Sequence, residues 1–388
     1  MPAPEDINSN PNFFLRKRVV FIIFFLAINI LNAQSILAHR INVWDIFYRA
    51  YFHLTEHKNL YLFYPAEYFD EYLYSPSFAV LFAPFSKLPY YVAYFLWNNL
   101  SMMIIPFMAY RLPLLSDRKK ALFCYIVLIE FLTCLQGTQT NAMIAGMILC
   151  TFLSFEKKQY WLAAFLIAIG FYIKIFPLAA ASLFLLYPDK IRFLIRFVTA
   201  MVVIGALPLL FIPYKELIWQ YHNWAICLHD DQHANYGVSI PGLIGANFGI
   251  TDIGKICMQV LGIFIFLTMY IRTGLFKEYR YRVYFFCALM MWMPLFNHAA
   301  EIYSYAIAII GVATWYAYQP RNKWLDRGIL LFIFLASVTP IDPMPKAWSY
   351  FVREHNLKVI PYMILFAVVL GQMLFNKSTF FRKEIKTD

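Results

Sequence analysis

The chain has 388 residues, 61% of them hydrophobic, 20% aromatic and 14% charged, with a formal net charge of +11. Soluble domains run at roughly 45–50% apolar and about 25% charged, so a soluble protein of this length, a disordered chain and a fibrous one are all excluded. What remains is an all-α polytopic membrane protein, one integral membrane domain over 1–388, in which excess Lys and Arg report topology rather than a nucleic-acid partner.

In chain order, a polar stretch through Asn12 leads to Arg16-Lys17-Arg18 and an apolar run from Val19 to Ile36. The run has no small-x-small cleavage pattern and reads as an anchor rather than a removed signal. Twelve spans are expected, near 19–37, 90–110, 121–135, 141–155, 160–173, 176–187, 191–213, 253–271, 283–296, 302–318, 327–340 and 358–375. Several fall short of the ~20 residues that cross a full hydrocarbon core, which implies local thinning, re-entrant pairs or polar ends reaching inward.

With the N-terminus placed inside, 23 of the 33 basic residues fall in short cytoplasmic turns or in the tail. They run from Arg16 to Arg18, Arg111 to Lys120, Lys157 to Lys158, Lys190 to Arg196, Arg272 to Arg282, Arg321 to Arg327 and Lys377 to Lys386, a positive-inside pattern that puts both termini in the cytoplasm. All eight His then lie outside (His39, His53, His57, His222, His229, His233, His298 and His355), with the long loops 38–75, 214–252 and 341–357. Long, chemically rich loops on one face mark the working side.

The outer region 38–89 carries two further helices. From Trp44 to Leu60 the apolar residues recur at helical spacing, an amphipathic helix lying on the outer membrane surface. The stretch 76–88, bracketed by Pro76, Pro84 and Pro89, reads as an interfacial or re-entrant helix. Six Cys at Cys124, Cys134, Cys150, Cys227, Cys257 and Cys287 form neither a disulfide framework nor a zinc spacing. Outer loops without Asn-x-Ser/Thr and unpaired Cys place the chain in a bacterial inner membrane.

Candidate chemistry collects near outer span ends. Asp45, in NVWDIFYRAYFHL, is a general base at a cavity mouth or an acid starting a helix. Lys174, in GFYIKIFPLAA, is flanked by apolar residues, and Pro177 breaks the helix beside it. A cation there suits a phosphate or snorkels to the interface. Gln136, Gln139 and Asn141 join two short spans and offer amides to sugar hydroxyls, or cap a hairpin turn. His298 and Glu301, in MPLFNHAAEIYSYA, share a helical face if the helix is continuous, steadying a leaving phosphate or capping the interface. The loop with His222, His229, Asp230, Asp231, His233, Asn235 and Ser239 looks metal-like, but its alternating ligands do not match a helical ligand set, and substrate contact is the better reading. Glu130 is the one acid well inside a span, either functional or an inter-helix contact.

These residues lie in segments that resemble glycosyltransferase family 87, transferases of the GT-C membrane fold that use polyprenol-phosphate sugars. The likeness is carried by WDIFYRAYFHLTEHKNLY, by YLYSPSFAVLFAPFSKLPYYVAYFLWNNL, by QTNAMIAGMILC through AIGFYIKIFPLAAASLFLL, and by MPLFNHAAEIYSYA, in that order over most of 40–310. The chain departs from the pattern at Ser75-Pro76, where a double proline is common, and at Thr138, which interrupts a Gly-Gln pair.

The resemblance implies a transferase whose site opens at the outer face. A polyprenyl-monophosphate sugar, mannose first, with arabinose, glucose or another hexose open, enters from the bilayer. A hydroxyl of a glycolipid, glycan or protein acceptor attacks the anomeric carbon with inversion. Asp45 matches the catalytic base, and Lys174 and His298 match positions near the donor phosphate. Glu301, Gln139 and Asn141 stand with them, and Tyr48 and Tyr74 seat the lipid and stack on sugar faces. No metal or other cofactor is implied for a monophosphate donor. A lipid-pyrophosphate-dependent glycan ligase or polymerase would keep a large outer loop rich in Arg and His, which 214–252 partly provides. A flippase would place broken helices at the midplane, often in repeats, whereas these candidates sit at one face.

Overall fold

The computed structural model describes residues 12–234, 237–319, 323–339 and 344–375. Among them the chain is helical, with no strand. In order the α-helices are α1 (Lys17–Leu37), α2 (Asn42–Thr55), α3 (Pro76–Ser86), α4 (Tyr90–Ala109), α5 (Asp117–Gln136), α6 (Asn141–Glu156), α7 (Tyr160–Ile173), α8 (Lys190–Gly205), α9 (Tyr214–Ala234), α10 (Ile240–Phe248), α11 (Asp252–Thr268), α12 (Tyr279–Phe296), α13 (Tyr305–Tyr318), α14 (Lys323–Val338), α15 (Lys346–Glu354) and α16 (Val359–Phe375). Local chemistry sets several starts. Ser75 caps α3 by accepting the Phe78 N–H, with Pro76 in the first turn, and Ser116 caps α5 ahead of Asp117.

By length and composition α1 and α4 can each cross a membrane, and α15 with α16, bent by 52°, make a third if the pair is one span. Other apolar helices, among them Pro76–Ser86, Asn141–Glu156 and Tyr160–Ile173, have 17 residues or fewer, so short apolar helices of the expected kind are present while a count of twelve spans is not shown. The segment 176–187 is a 3-10 helix, Phe176–Leu186, and Pro177 in its first turn, which has no N–H to donate back, separates it from α7. The run 191–213 stops as an α-helix at Gly205 and tightens into 3-10 geometry at Leu207–Leu210 around Pro208. Two expected loops are also corrected: 214–252 is mostly α9 and α10, and 341–357 contains α15. Their polar composition masked helices that lie against the bundle. Side chains of Asp231, His233 and Lys323, and the residues Asn235, Arg321, Lys377, Arg382, Lys383 and Lys386, lie outside the described residues.

α12 and α13 form the centre, with nearly every side chain buried. They approach closely at Gly311, where a Cβ would stand 2.6 Å from the Cys287 carbonyl oxygen. Hydrogen bonds then join like ends of the helices. At one end Lys119 donates to the Ala317 carbonyl, Arg282 grips Glu156, and Tyr187 donates to Glu156. At the other, Ser75 donates to the Tyr172 carbonyl and Gln220 to the Lys58 carbonyl. The first end carries the basic turns and the second carries the candidate chemistry.

Apolar neighbours give helices little reason to associate in lipid, so packing and buried polar contacts carry the specificity. Asn98 donates to Asn32 and Asn99 to Asn29 between α4 and α1. One such contact is the fully buried ion pair Glu130–Lys358, 1% and 2% exposed and 2.7 Å apart. Ser337 and Tyr362 both donate to the Glu130 carboxylate, at 2.6 and 2.9 Å. Glu130 is thus an inter-helix contact joining α5, α14 and α16, the structural alternative left open by its position.

Breaking one member of such a pair leaves an uncompensated buried charge, worth about 3–5 kcal/mol. Glu130→Gln is therefore expected to lower the unfolding midpoint in detergent clearly, and the joint change Glu130→Gln with Lys358→Met to lower it less. Equal stability of Glu130→Gln and wild type would remove the pair from this role.

Candidate functional site

Asp45 stands in the first turn of α2, where an acid favours the helix start. Its Oδ1 accepts a hydrogen bond from the Tyr90 hydroxyl. Tyr90 opens α4 directly after Pro89, so the Leu88-Pro89 corner aims it at α2. Tyr48, one turn along α2, donates to the Leu88 carbonyl at 3.1 Å and packs its ring 5.1 Å from that of Tyr90. Burial pushes the Asp45 carboxyl above its ordinary value, against the opposing Tyr90 hydrogen bond and the nearby Arg49 charge.

α2 has the amphipathic pattern read from the sequence, but its apolar face is not laid on lipid. Trp44 and Phe47 are fully buried against Phe78 and Phe82 of α3 and Tyr94 and Trp97 of α4. α3 itself is largely buried. Protein therefore fixes the helix that carries Asp45 on its apolar side.

A second group forms where three chain breaks meet. α7 ends at Lys174, whose backbone is extended, one step before the 3-10 segment with Pro177. The turn between α5 and α6 passes through Thr138 in the left-handed region, φ +51, strained for a β-branched residue. α12 gives way at Asn297 to extended backbone, and Glu301 caps a short 3-10 turn. These breaks bring the Lys174 Nζ to 3.5 Å from the Gln139 Oε1 and 3.4 Å from the Glu301 Oε1. Tyr74, almost fully buried and 4.8 Å ring to ring from Phe47, lies within electrostatic reach of both Lys174 and Glu301. Tyr74 thus stands between the cation and the helix of Asp45.

The expected shared face of His298 and Glu301 does not form, because the helix stops between them and α12. His298 instead meets Gln259 of α11, Nδ1 to Nε2, at 2.8 Å. Asn141 starts α6 fully buried, with neither side-chain nitrogen nor oxygen hydrogen-bonded, and the buried Thr140 and Thr138 hydroxyls face the Tyr74 and Tyr94 hydroxyls. Tyr90 and Gln259 are partners that sequence reasoning missed. Tyr90 reads as one more aromatic in a Tyr-rich run, and Gln259 as a lone amide in an apolar helix. No group of three or more His, Cys, Asp or Glu that could hold a metal ion occurs among the described residues.

The sequence profile of glycosyltransferase family 87 matches residues 72–339. That is more than half of the chain, and the protein belongs to this family: it is a glycosyltransferase embedded in the membrane. The matched stretch includes Tyr74, Gln139, Asn141, Lys174, His298 and Glu301, and begins after Asp45 and Tyr48. A search of curated proteins finds no match for the chain.

The Tyr90 hydrogen bond favours the ionised Asp45, so removing it raises the carboxyl further. In Tyr90→Phe the protonated-carboxyl infrared band, assigned by its loss in Asp45→Asn, is expected to persist to higher pH than in wild type. An unchanged or lower midpoint would show that Tyr90 does not hold the carboxylate.

Proposed function

We propose that this member of glycosyltransferase family 87 moves a hexose, mannose first among candidates, from a polyprenyl-monophosphate donor to an acceptor hydroxyl at the outer face of a bacterial inner membrane. The observation that carries this reading is the meeting of Lys174, Gln139 and Glu301 at three helix breaks, at the end of the bundle where α2 holds Asp45.

In this mechanism Asp45 takes the acceptor proton as its oxygen bonds to the anomeric carbon. The bond from that carbon to the phosphate oxygen breaks on the opposite side, and the configuration inverts. A desolvated carboxylate held by one hydroxyl is a stronger base than a free one, and a positioned base contributes about 10²–10⁴-fold. The departing lipid phosphate gains charge, which Lys174 meets. Glu301, its carboxylate 45% exposed, holds the ammonium in place beforehand and turns outward when the phosphate arrives. Gln139 and Asn141 offer amides to the sugar, Tyr48 and Tyr74 line the approach from α2, and His298, held by Gln259, stands beside the same outer break. The acceptor is a glycolipid or growing glycan. Both donor and acceptor reach the site from the bilayer, and this mechanism uses no metal.

The test is sugar transfer by the full chain in nanodiscs, with polyprenyl-monophosphate mannose, arabinose and glucose and a membrane-lipid extract as the acceptor source. Wild type is expected to transfer from one donor, with or without a chelator. Asp45→Asn should lower kcat by about 10²–10⁴-fold. Lys174→Met should cost roughly 2.7–4 kcal/mol of transition-state stabilisation, the scale for one donor to developing negative charge. Near-normal turnover by folded Asp45→Asn would refute the base. Transfer from pyrophosphate donors alone would favour the ligase reading.

Orientation has its own check. His229, in the part of α9 near the candidate end, has a side chain 70% exposed. In a background without the six native Cys, His229→Cys should react with a membrane-impermeant maleimide from outside the cell. Reaction only from the cytoplasmic side would invert the topology.

A further inference from the structure

α15 is a nine-residue helix with two distinct faces. Trp348, Phe351, Val352 and His355 recur along one of them at helical spacing. Their rings touch along it: Trp348 stacks on Phe351 with centroids 6.0 Å apart, and Phe351 lies 4.4 Å from His355. Lys346, Ser349, Tyr350 and Arg353 make the opposite face. Val352 is buried beside Val238 and Ile302, but Trp348 and Phe351 on the same face are exposed. The apolar face is therefore wider than the protein it packs on.

Geometry says what covers the rest. α15 runs into α16 across a bend of 52°, and α16 carries no charge from Val359 to Phe375. A nine-residue helix is ~13 Å long, and at 52° it rises only ~8 Å along the α16 direction. The polar layer of one leaflet is roughly 5–8 Å thick, so α15 stays at the level of that layer. Its exposed Lys346, Arg353 and Glu354 keep it out of the hydrocarbon. The bend is clamped from α10: Asn356, φ +52, donates to the Gly242 carbonyl at 3.1 Å, and Asn247 donates to the His355 carbonyl at 3.0 Å. Phe248, next to Asn247, is exposed as well, so a second element presents an aromatic beside the first.

We propose that α15, together with Phe248, docks on the lipid surface at the site's end of the bundle, with Trp348 and Phe351 inserted at the boundary between headgroups and acyl chains. Aromatics on one face of a short helix, charges on the other and a spanning helix directly behind it are the features of an interfacial helix. The bilayer is the occupant rather than a second protein, because this face continues into a helix that already stands in lipid. α16 is then a span by itself, and α15 is its surface anchor instead of the first part of a broken span. The anchor also reaches the candidate site. Lys358, just before α16, donates to the Ile302 carbonyl at 3.4 Å, and the turn Ile302–Ser304 follows directly on Glu301. Docking of α15 thus fixes the depth at which Glu301 stands.

Sugar transfer is not needed for this surface to exist, and the test reads depth alone. Tryptophan fluorescence of the full chain is measured in vesicles of phosphatidylcholine brominated either near the glycerol or near the chain end, and with iodide in the water. The Trp348 emission is the difference between wild type and Trp348→Phe. It is expected to be quenched about twofold more by the shallow bromines than by the deep ones, and little by iodide. In the joint change Trp348→Phe with Tyr350→Trp the new indole sits on the opposite face, and the order should reverse, with iodide the stronger quencher. Each change replaces one exposed aromatic by another, so the fold is not at risk, and circular dichroism checks that. Stronger quenching of Trp348 by iodide than by either lipid overturns the proposal, because the helix then stands in water. Protection from all three quenchers overturns it in favour of a covering protein. Quenching by the deep bromines on both faces overturns it in favour of a broken span.

Discussion

A helix that stops inside an apolar bundle leaves backbone groups and charges that lipid cannot serve. This chain stops helices at three places on one end: after α5, after α7 and after α12. Each break is enforced locally, by a left-handed Thr138, by Pro177 and by extended backbone at Asn297. The polar groups freed there must find one another, and Lys174, Gln139 and Glu301 do. The candidate site at this end of the molecule follows from that requirement. An ammonium flanked by Ile173 and Ile175 needs an anion, and Glu301 is the one that the α12–α13 connection brings within reach.

The opposite end solves the same problem with a closed contact. Arg282 donates to both oxygens of Glu156 and to two backbone carbonyls, and Tyr187 adds a further hydrogen bond. Its donors are nearly saturated, which makes it a latch. Lys174 is different in kind: its two contacts are long, and its carboxylate partner is nearly half exposed. Contacts of that sort reorganise at small cost when a better anion arrives. Geometry thus separates two partly buried Lys or Arg sites that composition alone treats as equivalent.

Much of this was legible in the sequence. Apolar content and the basic turns gave the all-helical membrane class, the spacing from Trp44 gave α2, and the three prolines gave α3. Lys174 stands out in the sequence because an ammonium between apolar runs needs an anion or polar partner, and Gln139 and Glu301 stand near it in the structure. Other features depended on tertiary geometry. The polar segment 214–252 has a composition that fits a loop as well as an exposed helix, and only packing of Gln220 and Trp224 onto the first outer region decides for α9. The spacing of His298 and Glu301 suggested a shared face, but a three-residue interval carries no information about whether the helix continues. Tyr90 and Gln259 were invisible because a hydrogen-bond partner 39 or 45 positions away leaves no local signature.

The placement of Asp45 completes the argument. A surface carboxylate is a weak base because water stabilises its charge, and a fully buried one is protonated and no base at all. α2 lies between these limits. Its apolar face is packed on α3 and α4, which removes water from one side of Asp45, while Tyr90 and Arg49 keep the ionised form accessible. The aromatic density of this region has a physical use here. Trp44, Tyr48 and Tyr90 form a stiff, low-dielectric wall whose rings have few rotamers to lose, so the carboxylate is held without a network of competing charges. A chain with a fifth of its residues aromatic can therefore tune an acid by packing and a single hydroxyl.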